Sequence, residues 1–512
     1  MESKVITAMT TEPELICQRV EYRGTAEIIA DKNAFGGFRA EARSLSSADN
    51  HALRKGDSLI LDFGNHYVGY FGFKTKALRA PCDAPLKIKL YFAEIPAELG
   101  RESENYRGWL SEAWLQEEFV TIENLPSNFE LKRRMAFRYV KIEILSQSQA
   151  YDPCLSDFYV KAVSSADERK LKPLHDTACD MWKKIDRVAV RTLHNCMQLV
   201  FEDGPKRDRR LWMGDLRLQA LTNYETFRSF ELSERCMELF AELRTEKCIP
   251  AFVYEKPTYS PGEKILMDYS IMFTVALDDY SEYSGNNSFV KRMWPIAREQ
   301  LEWAMLHINS NGIVQKQKGW FCFVDWYDSL EKITALQGIT IYGFDAGARL
   351  AERLGFSCEA RRYSAAADEM RKAAYDLLYD KERKAFAGDV NNRQLSWASQ
   401  IWMVLAGVLN KEESRRLITF MLENKNDFIR PVTPYLYHYA VEAMFKCGMD
   451  AQAAELLRTY WGSMVEKGAD TFWEIYSPED DFLSPYGDCR INSYCHAWSC
   501  TPSYFIRKYR LV

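Results

Sequence analysis

Residues 202–215 read EDGPKRDRRLWMGD. Asp203, Asp208 and Asp215 stand beside Lys206, Arg207, Arg209 and Arg210, with Trp212 and turn-forming Gly and Pro among them. Clustered carboxyl groups suit proton transfer. Burial or a like-charged neighbour raises one pKa so that the group keeps its proton, while an adjacent cation holds another as an anion. Hydrolysis of a glycosidic bond needs that division of labour. One carboxyl protonates the departing oxygen and a second activates water or attacks the sugar. A gap of roughly 6.5–9.5 Å leaves room for water and inverts the anomeric centre, whereas about 5–5.5 Å goes with retention. Two further stretches share the vocabulary of carboxylates and Trp. KGWFCFVDWYDS at 318–329 holds Trp320, Asp325, Trp326 and Asp328, and GADTFWEIYSPEDD at 468–481 holds Trp473 and Glu474. Plainer roles stay open: Asp203 and Asp215 could cap helices, and Asp325 and Trp326 suit packing as well as sugar contact.

Carboxyl groups so far apart in sequence can meet only if a scaffold brings their loops together. The first third of the chain supplies strands. LKIKLYFAE at 86–94 alternates apolar and polar residues, FRYVKIEIL at 137–145 repeats the pattern, and SLILDF at 58–63 follows it in part. Short alternating runs between Gly, Pro, Asn and Asp clusters predict an antiparallel β-sandwich over residues 1–165. Beyond the charged connector SSADERKLKPLHD at 164–176 the texture becomes helical. Helices are predicted at 174–199, 215–230, 232–244, 264–283, 287–308, 331–353, 359–380, 394–408, 411–424, 433–447, 450–464 and 493–507. A dozen helices without a fixed 34- or 40-residue repeat point to paired helices closed in a ring, an (α/α)6 toroid over 166–512, rather than a solenoid. The three carboxylate-rich stretches all fall between helices, where a rigid scaffold can present them.

Composition narrows the function. The chain has 512 residues, 47% hydrophobic, with a net charge of only −5. The basic footprint of a nucleic-acid binder is missing. Aromatics reach 13%, with 13 Trp and 28 Tyr, which suits both a sugar-binding cleft and large helical cores. The 13 cysteines form no CxxC pair and no Cys/His zinc spacing. Scattered thiols fit a reducing compartment. With no leader-like N-terminus and no run of 18 apolar residues, a soluble cytoplasmic protein without membrane partners is expected. No phosphate-cradling Gly loop, HExxH or Ser-His-Asp arrangement can be read, and no metal or cofactor is called for.

DGPKRDRRLWMGD resembles the signature of the bacterial α-L-rhamnosidases of glycoside hydrolase family 78, six-hairpin enzymes that carry a β-sandwich before an (α/α)6 barrel and invert. LDFGNHYVGYFGF at 61–73, YFAEI at 91–95 and FRYVKIE at 137–143 are similar to that family's sandwich. TFWE at 471–474 and SYCHAWSCTPSYFI at 493–506 are similar to two barrel motifs, in the right order. The resemblance implies Asp208 as general acid and Glu474 as general base. It implies Asp203, Asp215, Arg207, Trp212 and His496 as the sugar pocket, with Trp473, Asp325 and Trp326 as plausible walls. A rhamnose-containing glycoside is the implied substrate. Three departures from the usual signature suggest a divergent branch: Asp208 for Glu, Leu211 for Gly and Gly204 for Cys. A one-residue slip would put Arg209 at the acid position. Two alternatives therefore stand beside the rhamnosidase: another glycosidase or unsaturated-uronide hydrolase on the same toroid, which would use an Asp acid/base, or a non-catalytic carbohydrate-binding relative. The family's extra C-terminal sandwich is not expected, since the chain ends soon after SYFI. Oligomeric state is not legible.

Overall fold

The computed structural model describes residues 11–43, 52–101, 105–316 and 322–512. Nine strands form the N-terminal part: β1 (Ile16–Glu21), β2 (Gly24–Ala30), β3 (Phe38–Arg43), β4 (Ser58–Leu78), β5 (Leu86–Ala93), β6 (Glu117–Ile122), β7 (Ser127–Glu130), β8 (Met135–Ser146) and β9 (Asp152–Ser164). They belong to one antiparallel network ordered β1-β9-β4-β8-β5-β6, with β2 and β7 branching from β4 and β3 pairing with β2. The 21-residue β4 makes the fold-over possible. Its first half pairs with β8 and its second with β9, and the register shifts between Asp62 and Tyr67. Gly64 sits there at φ 76°, a left-handed conformation glycine adopts without strain. The alternating faces read from sequence meet inside. Phe63, Phe71, Phe73, Leu86, Ile88, Leu90, Phe92, Phe137, Val140 and Ile142 form a separate buried core.

Among the described residues twelve α-helices follow: α1 (Asp180–Cys196), α2 (Met213–Glu225), α3 (Phe230–Glu242), α4 (Met267–Ser284), α5 (Asn287–Met305), α6 (Ile333–Arg353), α7 (Ser357–Leu378), α8 (Trp397–Leu405), α9 (Lys411–Glu423), α10 (Pro434–Lys446), α11 (Asp450–Glu466) and α12 (Pro502–Lys508). Even-numbered helices pack on one another in succession, α2 on α4, α4 on α6, α6 on α8 and α8 on α10, and α12 returns to α2. This inner ring is buried nearly all round, so α2 and α4 lack a clear polar face. The odd-numbered helices are amphipathic outer staves: α7 buries a stripe that includes Tyr363, Ala367, Met370 and Ala374 and turns its charged residues outward.

The predicted helices are present, with one clear correction. A helix was expected over 493–507, but only Pro502–Lys508 is α-helical. Residues Ser493–His496 cross the barrel mouth in an irregular path, followed by a short 3₁₀ turn at Ala497–Cys500. Pro502 at the first helical turn fits a helix that begins there. The residues before it spend their backbone groups elsewhere: His496 N–H donates to Phe472 O and Ala497 N–H to Asp203 O.

The two parts meet over a buried polar seam. His66 Nε2 lies 2.9 Å from Glu94 Oε1, and the other Glu94 oxygen accepts the Tyr494 N–H at 2.7 Å. Arg138 of β8 ties Asp62 of its own sheet to Asp470 of the helical part. Arg134 grips Glu202 through one guanidinium nitrogen at 2.6 and 2.8 Å. The sheet thus braces the two loops that carry the candidate chemistry.

Candidate active site

Three segments build the site. The loop after α1 carries Asp203 to Arg210, and its last residues, Leu211–Trp212, pair antiparallel with Phe252–Val253. That pairing delivers Asp215 in the first turn of α2. The long segment after α11 brings Glu474, Tyr486, Ser493, His496 and Trp498. A third loop, between α5 and α6, contributes Phe323 and Trp326.

Glu474 is buried and closely held. Tyr486 Oη donates to Oε1 at 2.5 Å. Arg207 Nη2 at 2.5 Å and the Ser493 N–H at 3.1 Å both reach Oε2. Three donors on two oxygens fix the orientation of the carboxyl group. Tyr486 can play its part because burial, then the neighbouring Glu474, pushes its phenol well above the usual range. Trp498 Nε1 fixes the backbone by donating to the Glu474 carbonyl at 2.9 Å.

Asp208 stands across the same guanidinium. Arg207 Nη1 is 3.7 Å from its Oδ1, and Arg210 Nη1 is 3.5 Å from its Oδ2. A planar guanidinium bridging both groups keeps their facing oxygens within about 8–9 Å of each other, close enough to flank one glycosidic bond. Asp208 is 23% exposed against 3% for Glu474. Arg207 is itself anchored, donating from Nε to Ile491 O at 2.7 Å and lying 4.2 Å over the Tyr486 ring.

Asp203 closes the loop on itself. Its N–H donates to Arg210 O, its Oδ1 accepts the Arg210 N–H at 3.0 Å, and its carbonyl accepts the Ala497 N–H. Burial, then the nearby Asp208, raises its pKa to about 8, so at neutral pH it is mostly protonated. Asp215 is buried at 2% exposure, and burial together with Asp203 and Glu474 pushes its pKa well up. Among the described residues its Oδ1 has no hydrogen-bond partner, nor does His496 Nδ1, 3.5 Å away. Burial and the Arg207 charge keep His496 neutral. Two orphaned polar atoms in a dry setting are costly unless a ligand satisfies them. Aromatic rings enclose the pair: Trp212 packs against Phe252 and Tyr269, Phe323 against Tyr435 and Trp498, and Trp498 lies 4.2 Å from the His496 ring.

The structure thus brings Asp203, Arg207, Asp208, Trp212, Asp215, Glu474 and His496 together. It sets two of the expected wall residues apart. Trp473 faces away from its neighbour Glu474 and stacks at 4.1 Å on Phe35 of the sheet part, so it cements the seam rather than lining a sugar subsite. Asp325 spends its oxygens on the N–H groups of Val432 and Thr433 and on Thr433 Oγ1 at 2.6 Å, which pins its loop to the start of α10. Trp326 remains at the rim, between Phe323 and Tyr486, lining a groove of about 1000 Å³. Trp320 lies outside the described residues.

The sequence reading missed Tyr486, Ser493, Trp498, Tyr269 and Phe323 as site residues. Ser493 and Trp498 lie inside the quoted SYCHAWSC stretch and could have been found there. Tyr486 sits in a loop without any local signal. Lys206 was also missed. Its ammonium is buried and reaches Glu98 of the sheet part while donating to Arg490 O at 2.7 Å and Asn492 O at 2.9 Å, which locks the two candidate loops together.

Residues 175–509 match the bacterial α-L-rhamnosidase six-hairpin glycosidase domain, and residues 23–162 match the glycosyl hydrolase family 78 α-rhamnosidase N-terminal domain. The chain belongs to glycosyl hydrolase family 78. A rhamnosidase from Klebsiella oxytoca, solved with rhamnose bound, is 41% identical over 98% of this chain and 97% of its own, at a TM-score of 0.94. The family 78 rhamnosidase of Bacillus sp. GL1 shares the fold at 22% identity and a TM-score of 0.75, with 91% of this chain and 49% of that one aligned. An α-L-rhamnosidase from Formosa agariphila is 25% identical over 303 residues, 55% of this chain. The match spans only 30% of that protein's length. As a family 78 glycosidase, the chain has the β-sandwich and six-hairpin barrel read from its sequence. Among the described residues no helix is long and apolar enough to cross a membrane.

Proposed function

We propose that this glycoside hydrolase removes terminal α-L-rhamnose from glycosides with inversion. Asp208 protonates the departing oxygen. Glu474 takes a proton from the water that attacks the anomeric carbon from the opposite side. The observation that carries this reading is the shared guanidinium: Arg207 holds Glu474 tightly as an acceptor and leaves Asp208, on its other side, loosely held. Once Asp208 has given up its proton, Arg207 and Arg210 stabilise the anion. The orphaned Asp215 and His496 atoms receive sugar hydroxyls, and protonated Asp203 and Asp215 act as donors as well as acceptors. The rhamnose bound to the 41% identical Klebsiella enzyme supports the choice of sugar. The 13 cysteines, none of them in a disulfide, support a cytoplasmic location.

The test is hydrolysis of 4-nitrophenyl α-L-rhamnopyranoside followed by proton NMR. Turnover with β-L-rhamnose as the first-formed anomer is expected. First-formed α-anomer would replace the base with a nucleophile, and no turnover would remove the rhamnosidase assignment.

A further inference from the structure

Behind Asp208 lies a cavity of about 360 Å³, walled on one side by the sheet part and on the other by the catalytic loop and residues 254–256. Asp208 separates it from Arg207 and Glu474: one oxygen faces Arg207, and the other faces Arg210, which lines the cavity. A general acid must touch the glycosidic oxygen, and the leaving group extends from that oxygen on the acid's side. If Asp208 is the acid, this cavity is where the leaving group goes.

The lining is strongly cationic. Arg133 and Arg134 are already paired, with Glu118 and Glu202. Lys132, Lys256 and Arg209 also line the cavity and have no ion-pair partner among the described residues. Among the described residues the Arg209 guanidinium donates to the Pro205 and Arg134 carbonyls and to no carboxylate. Burial and Arg134 lower its pKa to about 10, so it stays charged at neutral pH. Glu255 does not offset these charges. Its Oε1 is buried without a hydrogen-bond partner among the described residues, and burial beside Glu202 raises its pKa to about 8. Unpaired cations facing a partly enclosed cavity focus positive potential there.

We propose that this cavity is the leaving-group subsite and that it selects rhamnosides whose second sugar carries an anionic group, a carboxylate above all. The inference rests on the rhamnosidase reading with Asp208 as acid. Lys132 and Lys256, both exposed, and Arg209 would receive the anion, and the Tyr70 and Tyr254 side chains in the same lining offer flanking surfaces for the ring.

The experiment compares kcat/KM of the full chain on three α-L-rhamnosyl disaccharides of one linkage, ending in glucuronic acid, its methyl ester or glucose. The uronate is expected to lead by about tenfold, with the ester resembling glucose. The preference should shrink at high salt, since exposed charges are screened. In a K132A/K256A double variant the uronate-to-glucose ratio should fall toward one. Cleavage of all three disaccharides at equal efficiency overturns the subsite while leaving the rhamnosidase reading intact. No cleavage of these or of 4-nitrophenyl α-L-rhamnoside overturns that reading and the subsite with it. A uronate preference that survives in the double variant would place the anion elsewhere and overturn the assignment to this cavity.

Discussion

Glu474 and Asp208 share one arginine but live in different surroundings. Glu474 is sealed from solvent under three short donors, its backbone pinned by Trp498. Asp208 meets its cations only at 3.5 and 3.7 Å and borders an open cavity. Under the proposed mechanism the base must be an anion in a fixed place, which a rigid shell of donors suits. The proposed acid must hold a proton, lose it and regain it while leaving groups come and go, which room and looser cationic contact suit better. The contrast teaches that the two carboxyl groups are told apart by packing, since Glu and Asp differ little in themselves.

Substitutions can break this contrast. Glu474→Gln keeps the shape and removes the base. A drop in kcat of about a thousandfold or more is expected, of similar size whatever the leaving group, measured by steady-state hydrolysis of several rhamnosides. Asp208→Asn should behave differently. With a sugar leaving group the loss should approach a thousandfold, yet 4-nitrophenolate departs with little help, so there the loss should be at most about tenfold. Equal losses on both substrates would remove Asp208 from the role of acid.

Smaller effects sharpen the same picture. Tyr486→Phe deletes one donor to a buried carboxylate, and kcat should fall about tenfold. An unchanged kcat would mean that Arg207 and Ser493 suffice. Asp325→Asn probes the other carboxylate-rich loop, where the chemistry is structural. It should cost about 1–3 kcal/mol of stability, read from denaturant unfolding, with a far smaller change in kcat than Glu474→Gln. The gentlest test concerns Asp203. Its folded pKa of about 8 lies above the ordinary carboxylate value, so the folded state holds a proton that the unfolded state has lost. That contribution is fully present below about pH 4 and fades as pH rises through about 8. Asp203→Asn keeps the acceptor for the Arg210 N–H and should flatten this part of the thermal-midpoint profile. A parallel profile in wild type and variant would mean that Asp203 is ionised in the folded protein.

Much of this architecture was legible in the residues. Alternation at 86–94 and 137–145 reports half-buried strands, and helical periodicity reports the staves, because both periods follow from local backbone geometry. The cluster from Asp203 to Asp215 was legible because its members lie close together in the chain and need only one loop to gather them. The TFWE stretch located Glu474 but misplaced its neighbour. Sequence adjacency does not say which side a side chain faces, and Trp473 turned to Phe35 while Glu474 turned to Arg207. Asp325 shared the Asp-Trp vocabulary of the site, yet the free N–H groups at the start of α10 claimed it, a competition visible only once residues 325 and 432–433 are in contact.

The sequence by itself determined the order of elements and the family signature, and it offered Asp208 and Glu474 as candidate carboxyl groups, because these rest on local periodicity and on side-chain chemistry. Only the tertiary structure decided which carboxylate is clamped and which is loosely held, that Tyr486 donates to Glu474, that Lys206 joins the two candidate loops to the sheet, and that a cationic cavity opens behind Asp208. Those properties depend on burial and on distances of a few ångströms between residues as many as 286 positions apart. Electrostatic energies change steeply over such distances and with such burial, and chain order encodes neither directly.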